Sequence, residues 1–284
     1  MKKWGVVIGL ITLVALASML ASLSNMHWRA FQQTSGIGIW ETIVQKKGVN
    51  APRSIYDSAT ASRLLKRFDL LLQQQKDAVD KPNTYVNVAL NTSQPSDSVA
   101  VGKYQGSFFL QAPHGHSDIN TRQIAELIIA RSKRANAYFS NLKHRRELDF
   151  STESPSILID LTLAYLQYYP NAAVVQLHGF AKDKRSSPVA KNANFIISTG
   201  SRRMTMLASR FAECLNRAGF EEVAVFGKTV DELGATTNAV KKAMYQLQYS
   251  RFLHIEMSFE QRTMLKKSPA ALDAFAGCLD EVTT

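Results

Sequence analysis

Ser107-Phe-Phe-Leu-Gln-Ala-Pro-His114-Gly-His116-Ser-Asp118-Ile-Asn-Thr121-Arg-Gln-Ile-Ala-Glu-Leu-Ile-Ile129 joins three patterns without a break. Its first six residues are a short, mostly apolar run, which reads as a buried strand over Ser107–Ala112. A loop follows, carrying two imidazoles and a carboxylate. Beyond it, Ile124, Ala125, Ile128 and Ile129 recur at helical spacing and predict a helix over Asn120–Arg134. Strand, polar turn, helix is the unit of an α/β fold, in which ligands gather at the carboxyl edge of parallel strands.

Working outward, the same cadence continues. Pro155–Tyr168 reads as a helix, Ala172–Leu177 as a strand and Ala193–Ser198 as another. Arg202–Ala218 is a helix stopped by Gly219, which suits the left-handed position after a helix end. Glu222–Phe226 is a strand, Thr236–Gln248 a helix and Phe252–Met257 a strand, before two terminal helices divided at Ser268-Pro269. Upstream, Asp57 or Ser58 caps a helix through Ala78, Tyr85–Leu90 alternates as a strand, and a Ser/Gln/Pro/Asp loop covers residues 92–98. The expected fold is a three-layer α/β/α sandwich around a largely parallel or mixed sheet.

The amino-terminal part has another character. Lys2 and Lys3 precede an apolar run from Trp4 to Leu23, with no charge before Arg29. That is a basic region followed by a hydrophobic one, the pattern of an export signal. Its length lies between the roughly 7–15 apolar residues of a cleaved signal and the roughly 20 that span a bilayer, so cleavage and anchoring both stay open. The positive-inside tendency places the remainder outside the cytoplasm, in the periplasm or its equivalent. The expected organisation is a signal peptide or signal anchor at 1–29, a tether at 30–55 and one α/β domain at 56–284.

Of 284 residues, 45% are hydrophobic, as in an ordinary globular core, and the net charge is +11. Basic clusters at Lys143-His-Arg-Arg146, Lys182-Asp-Lys-Arg185 and Arg202-Arg203 suit anionic substrates or surfaces, or a plain solvated face. No helix-turn-helix, zinc-finger or RNP-type pattern is present, which argues against a nucleic-acid partner. Cys214 and Cys278 either pair after export or remain two buried thiols.

Three strand-like runs end in chemistry-bearing residues: Phe108–His114 with Asp118 beyond it, Ala173–His178, and Arg251–Glu256. Two His and an Asp delivered to one edge make a zinc site, with His116 competing against His114 for the metal. Glu256, in the apolar strand Phe252-Leu-His-Ile-Glu-Met257, needs a partner, a hydrogen bond or a metal nearby. The partner candidates in sequence are Arg251 and Arg262; beside a metal, Glu256 suits general-base work. His254 shares its strand face by the period of two. Arg145 and Arg146 are candidates to hold a substrate carboxylate, and Asn238 a weaker contact beside its role in a helix cap. Serine and cysteine hydrolases are disfavoured: no Gly-x-Ser-x-Gly elbow occurs, and neither Cys stands at a strand-to-helix turn.

Taken in order, Pro-His114-Gly-His-Ser-Asp118-Ile-Asn-Thr121, Leu-His178-Gly-Phe180 and His254-Ile-Glu256-Met-Ser258 resemble the N-formylglutamate amidohydrolase-like branch of the zinc carboxypeptidase superfamily, together with phage-type poly-gamma-glutamate hydrolases. The resemblance covers residues 105–265. It implies an α/β/α sandwich, one zinc held by His114, Asp118 and His178, and Glu256 as the base for hydrolysis of an amide or peptide bond. It also implies a carboxylate-bearing substrate met by the Arg145/Arg146 loop. Asp118 departs from the usual His-x-x-Glu pattern in type and spacing. Export points away from N-formylglutamate itself and toward peptides such as those of the cell wall. A catalytically inactive envelope protein that binds such peptides on the same fold is the competing reading.

Overall fold

The computed structural model describes residues 86–89, 97–101 and 107–284 apart from 142, 155 and 204. The expected export segment, the tether and the helix from Asp57 to Ala78 lie outside these residues. So do 92–96 of the expected loop.

Eight strands form one sheet: β1 (Val86–Ala89), β2 (Asp97–Val101), β3 (Phe108–Ala112), β4 (Ala135–Asn141), β5 (Ala173–Gly179), β6 (Phe195–Ser198), β7 (Val223–Val225) and β8 (Phe252–Met257). Their spatial order is β1-β2-β4-β3-β5-β8-β6-β7. Strands β4, β3, β5 and β8 run parallel and form the centre. The direction reverses on either side, between β2 and β4 and between β8 and β6, so the sheet is mixed.

Two strands correct the sequence reading. Residues 97–98, expected in a loop, open β2. The central strand β4 was not expected at all, and its composition explains why. A strand buried on both faces ordinarily reads as a continuous run of large apolar residues. Here Ala135-Asn-Ala-Tyr-Phe-Ser-Asn141 is buried throughout yet contains Asn136, Ser140 and Asn141. Such a segment scores as a loop until its neighbours are known.

Seven α-helices are described: α1 (Thr121–Arg131), α2 (Ile157–Tyr168), α3 (Pro188–Asn192), α4 (Met206–Arg217), α5 (Ala239–Gln246), α6 (Phe259–Lys267) and α7 (Pro269–Val282). Most start where a side-chain oxygen accepts from an otherwise orphaned amide. Ser156, Thr205, Asn238, Ser258 and Ser268 do this for α2, α4, α5, α6 and α7. Among the described residues no helix is long and apolar enough to cross a membrane.

The period of two along each strand sorts side chains into opposite layers. Leu110, Val175, Leu177, Leu253, Ile255 and Ile197 point one way into a large apolar core shared with Ile124, Phe211, Leu265 and Phe275 of α1, α4, α6 and α7. Cys214 and Cys278, whose pairing the sequence left open, are disulfide-bonded and tie α4 to α7 in this layer. The opposite face meets α2, through the Phe109–Tyr165 ring contact, and α3, through Ala190 against Ile196. The three-layer α/β/α sandwich is therefore present, and its second face is the polar one.

Candidate metal centre

The carboxyl ends of β3, β5 and β8 lie side by side, and His178 pairs in register with Glu256. Pro113 ends β3, because proline has no N–H to continue a ladder. The chain then folds into a tight turn: the Gly115 amide donates to the Ala112 carbonyl at 3.2 Å and the Asp118 amide to the His114 carbonyl at 2.7 Å. Gly115 is required by closeness, since a Cβ there would stand 2.8 Å from the Asn141 carbonyl oxygen of β4. The Thr121 hydroxyl donates to the Asp118 carbonyl at 2.7 Å and closes the loop onto α1. His114 and Asp118, four residues apart, thus project together. Across from them the Gly179 amide donates to Asp118 Oδ2 at 3.0 Å, fixing the carboxylate beside His178.

Three atoms converge as a result. His114 Nδ1 is 3.2 Å from His178 Nδ1, and Asp118 Oδ2 is 3.4 Å from the first and 3.5 Å from the second. Ligands held tetrahedrally at the roughly 2.0–2.1 Å typical of zinc stand roughly 3.3 Å from one another. The triangle has the edges that such a site requires.

The tautomers agree with it. His114 Nε2 lies 2.8 Å from Asp149 Oδ1, and His178 Nε2 lies 3.4 Å from the Gln176 amide oxygen. With each Nε2–H donating outward, both Nδ1 lone pairs face the triangle. Two lone pairs and a carboxylate at this distance repel unless a cation lies between them. Where only protons are available, burial opposes charge on His114. The Asp118 and Asp149 carboxylates overcome it and lift the His114 pKa to about 9. Burial pushes His178 down instead; Asp118 opposes this, and the charge on His114 reinforces it. Burial would raise Asp118 as well, but its contacts with the two imidazoles hold it well below the usual carboxylate range. The site is built for positive charge, and its two nitrogen donors and one oxygen donor suit zinc or a similar divalent ion.

Behind the triangle stands a buried amide chain. Gln176 accepts from Asn238 Nδ2 at 2.8 Å and donates to Gln111 at 2.8 Å, and Gln111 donates to Thr162 of α2 at 2.8 Å. Gln111, Gln176, His254 and Ser198 pair in register across β3, β5, β8 and β6, so one polar row crosses the sheet just beneath the site. Asp149 is anchored separately by the Ser151 amide at 3.0 Å and by Arg145 Nη2 at 2.9 Å.

Glu256 and His254 share the face of β8 that carries the site. His254 Nε2 is 3.7 Å from Glu256 Oε1, and the two rings of His254 and His178 lie 4.6 Å apart. Glu256 Oε2 is buried and has no hydrogen-bond partner among the described residues. Burial, followed by the nearby Asp118 charge, pushes the Glu256 pKa up to about 8. Burial, followed by the neighbouring imidazoles of His178 and His114, keeps His254 well below its ordinary value.

The other expected residues divide. His116 is exposed, sits edge-on to His144 with ring centroids 5.6 Å apart, and belongs to neither acid-and-histidine cluster of the described residues. The turn that brings His114 inward points His116 away, so only His114 joins the triangle. Arg145 and Arg146 are both exposed, and Arg145 is bonded to Asp149. Asn238 caps α5 through its oxygen and serves Gln176 through its nitrogen, so it supports the histidines. Of the two arginines considered for Glu256, Arg251 is tied to the carbonyls of Asn171, Val282 and Thr284 at the far edge of the sheet. Arg262 lies near the site without reaching Glu256. Sequence reasoning missed Asp149, Gln176 and Gln111. The glutamines left a trace, being polar positions in apolar strands on the face of His178; Asp149, in an irregular loop, left none.

No protein-family model and no curated protein matches the sequence. Among solved structures the chain is similar to a bacteriophage poly-gamma-glutamate hydrolase, at 16% identity over 66% of this chain and 87% of that one, with a TM-score of 0.47. It is also similar to N-formylglutamate amidohydrolase from Ralstonia eutropha, at 11% identity over 66% and 95% of the chains, with a TM-score of 0.48. A third is bovine thrombin-activatable fibrinolysis inhibitor, at 8% identity over 78% and 96%, with a TM-score of 0.44.

Proposed function

We propose that the protein is an exported, zinc-dependent hydrolase of an amide or peptide bond in a carboxylate-bearing substrate, with cell-wall peptides the natural class outside the cytoplasm. The observation that carries this reading is the triangle of His114 Nδ1, Asp118 Oδ2 and His178 Nδ1, with edges of 3.2–3.5 Å and both histidine tautomers set from outside. Bound there, zinc supplies Lewis acidity toward a water molecule and an amide carbonyl.

Glu256 does the proton work. Its Oε2, without a hydrogen-bond partner among the described residues, can accept a proton from the attacking water once the carboxyl is ionised, and its raised proton affinity suits it to hold that proton and return it to the departing amine. A cation in the adjacent triangle favours its ionised form. Asp149 and Gln176 hold the imidazoles in place, and the buried, low-dielectric surroundings strengthen each of these interactions. The charge of Arg145 reaches His178, and that of Arg185 and Arg262 reaches Glu256, a field that suits an anionic substrate. Export is supported by the Lys2-Lys3 and apolar pattern of the amino terminus and by the Cys214–Cys278 bond, since disulfides persist in oxidising compartments.

Elemental analysis of purified protein beside the His114→Ala/His178→Ala double variant tests the reading. About one zinc per chain, lost in the double variant, is expected, with chelator-sensitive hydrolysis of a carboxylate-bearing peptide. No metal uptake after zinc is supplied would leave a peptide-binding protein on this fold.

A further inference from the structure

Arg262, on α6, is 5% exposed, yet among the described residues no carboxylate lies within salt-bridge distance of it. Nη1 donates to the Ile119 carbonyl at 3.0 Å and Nε to the Ser258 carbonyl at 3.3 Å, while Nη2 has no acceptor among those residues. Carbonyl oxygens position a guanidinium but do not neutralise it. The fold makes room for it nonetheless. A Cβ on Gly179 would stand 1.9 Å from Nη1, so the glycine after His178 is what lets the guanidinium lie against the end of β5. Glu256, whose Oε2 has no hydrogen-bond partner among the described residues, stands near the end of β8, the strand that leads into α6. Asp118, Glu256 and Glu260 act on the Arg262 charge, and Arg262 acts on Glu256, all without a contact ion pair among the described residues.

The walls around Arg262 are apolar and open. Ile119 is 57% exposed and Phe259 49%, and the Phe259 ring centroid lies 5.8 Å from the guanidinium carbon. A buried cation between exposed hydrocarbon walls fits an anionic group carried on a short hydrocarbon stem. Arg145 belongs to the loop after β4 and Arg262 to the helix after β8, the two outer strands of the parallel block. The metal triangle, at the ends of β3 and β5, lies between them.

We propose that Arg262 is a second anion subsite, so that the substrate carries a carboxylate on each side of the bond that is cut, one toward Arg145 and one toward Arg262. The term substrate rests on the hydrolase reading; the subsite itself does not. Arg262 acts by binding and positioning, not by proton transfer.

The test is calorimetric binding of glutarate and of its monoamide, glutaramate, to zinc-supplemented and chelator-treated protein, in the wild type and Arg262→Met. A charge-assisted, two-pronged contact predicts that wild type prefers glutarate by roughly tenfold or more and that Arg262→Met abolishes this preference. Arg262→Lys, which keeps the charge but loses the fork, should retain part of it and provides the reading if the Met variant does not fold. A wild type that binds neither ligand or does not discriminate, a Met variant that still discriminates, or one that weakens both ligands equally overturns the proposal. The two readings fail separately. Preference for glutarate without zinc uptake removes the hydrolase and keeps the subsite; zinc uptake without the preference does the reverse.

Discussion

The two faces of the central strands have opposite tasks although they are made of alternate residues of the same segments. In β8, Leu253, Ile255 and Met257 enter the apolar core, whereas His254 and Glu256 line the site. In β5, Val175 and Leu177 do the first, and Gln176 and His178 the second. The apolar face gains from every buried methylene and asks only for complementary shape. The polar face gains little from burial, because each donor and acceptor must regain there what it lost from water. It meets that cost with a polar chain from the Thr162 hydroxyl through the amides of Gln111 and Gln176 to Asn238, and leaves Glu256 Oε2 without a partner among the described residues. One face holds the strands still; the other spends that rigidity on holding ligands about 3.3 Å apart.

Substitutions on one face should therefore leave the other's property intact, and the largest expected effect is catalytic. Glu256→Gln should lower turnover by about 10²–10⁴-fold while zinc stoichiometry stays unchanged; parallel loss of metal would show that Glu256 is a ligand. On the opposite face of the same strand, Ile255→Ala should cost about 2–5 kcal/mol in denaturant unfolding. Zinc bound per folded chain should not change, and a metal site lost before the fold would break the division.

Smaller effects come from residues that touch the ligands from behind. Asp149→Ala and Gln176→Ala should each weaken zinc binding by about 10–100-fold, read by competition with a chromophoric chelator. An unchanged affinity in both would mean that the tautomers are not set from outside. Glu256 also gives a pH signature in chelator-treated protein. Its folded pKa of about 8 exceeds the ordinary value of 4.5, so the buried acid prefers to stay protonated. Its favourable contribution is complete below pH 4.5 and is lost as the pH rises through about 8. Glu256→Gln should thus raise the melting temperature at pH 8.5 by several degrees, on the order of 1–2 kcal/mol, and change it little at pH 4. The smallest effect belongs to His116→Ala, which should leave zinc affinity within about twofold; a larger loss would bring the exposed histidine back into the ligand set.

Much of this division is legible in the sequence alone. Apolar runs ending in His114, His178 and Glu256 mark strands, and helical spacing marks α1, α4 and α5, because periodicity is a local property of the chain. The strand β4 was not legible, since Asn136, Ser140 and Asn141 are tolerated in a buried strand only by virtue of what surrounds them. Asp149 was hidden for the same reason: a loop carboxylate is ordinary until His114, distant in sequence, is 2.8 Å away.

By itself the sequence determined the alternation of strand and helix, the residue types able to bind a metal, and the strand ends that carry them. Whether His114 or His116 faces His178, whether Cys214 meets Cys278, and why Gly179 must lack a side chain were decided only in three dimensions. Those outcomes depend on turn geometry and on contacts between residues far apart in the chain, and no local pattern encodes a distance across the sheet.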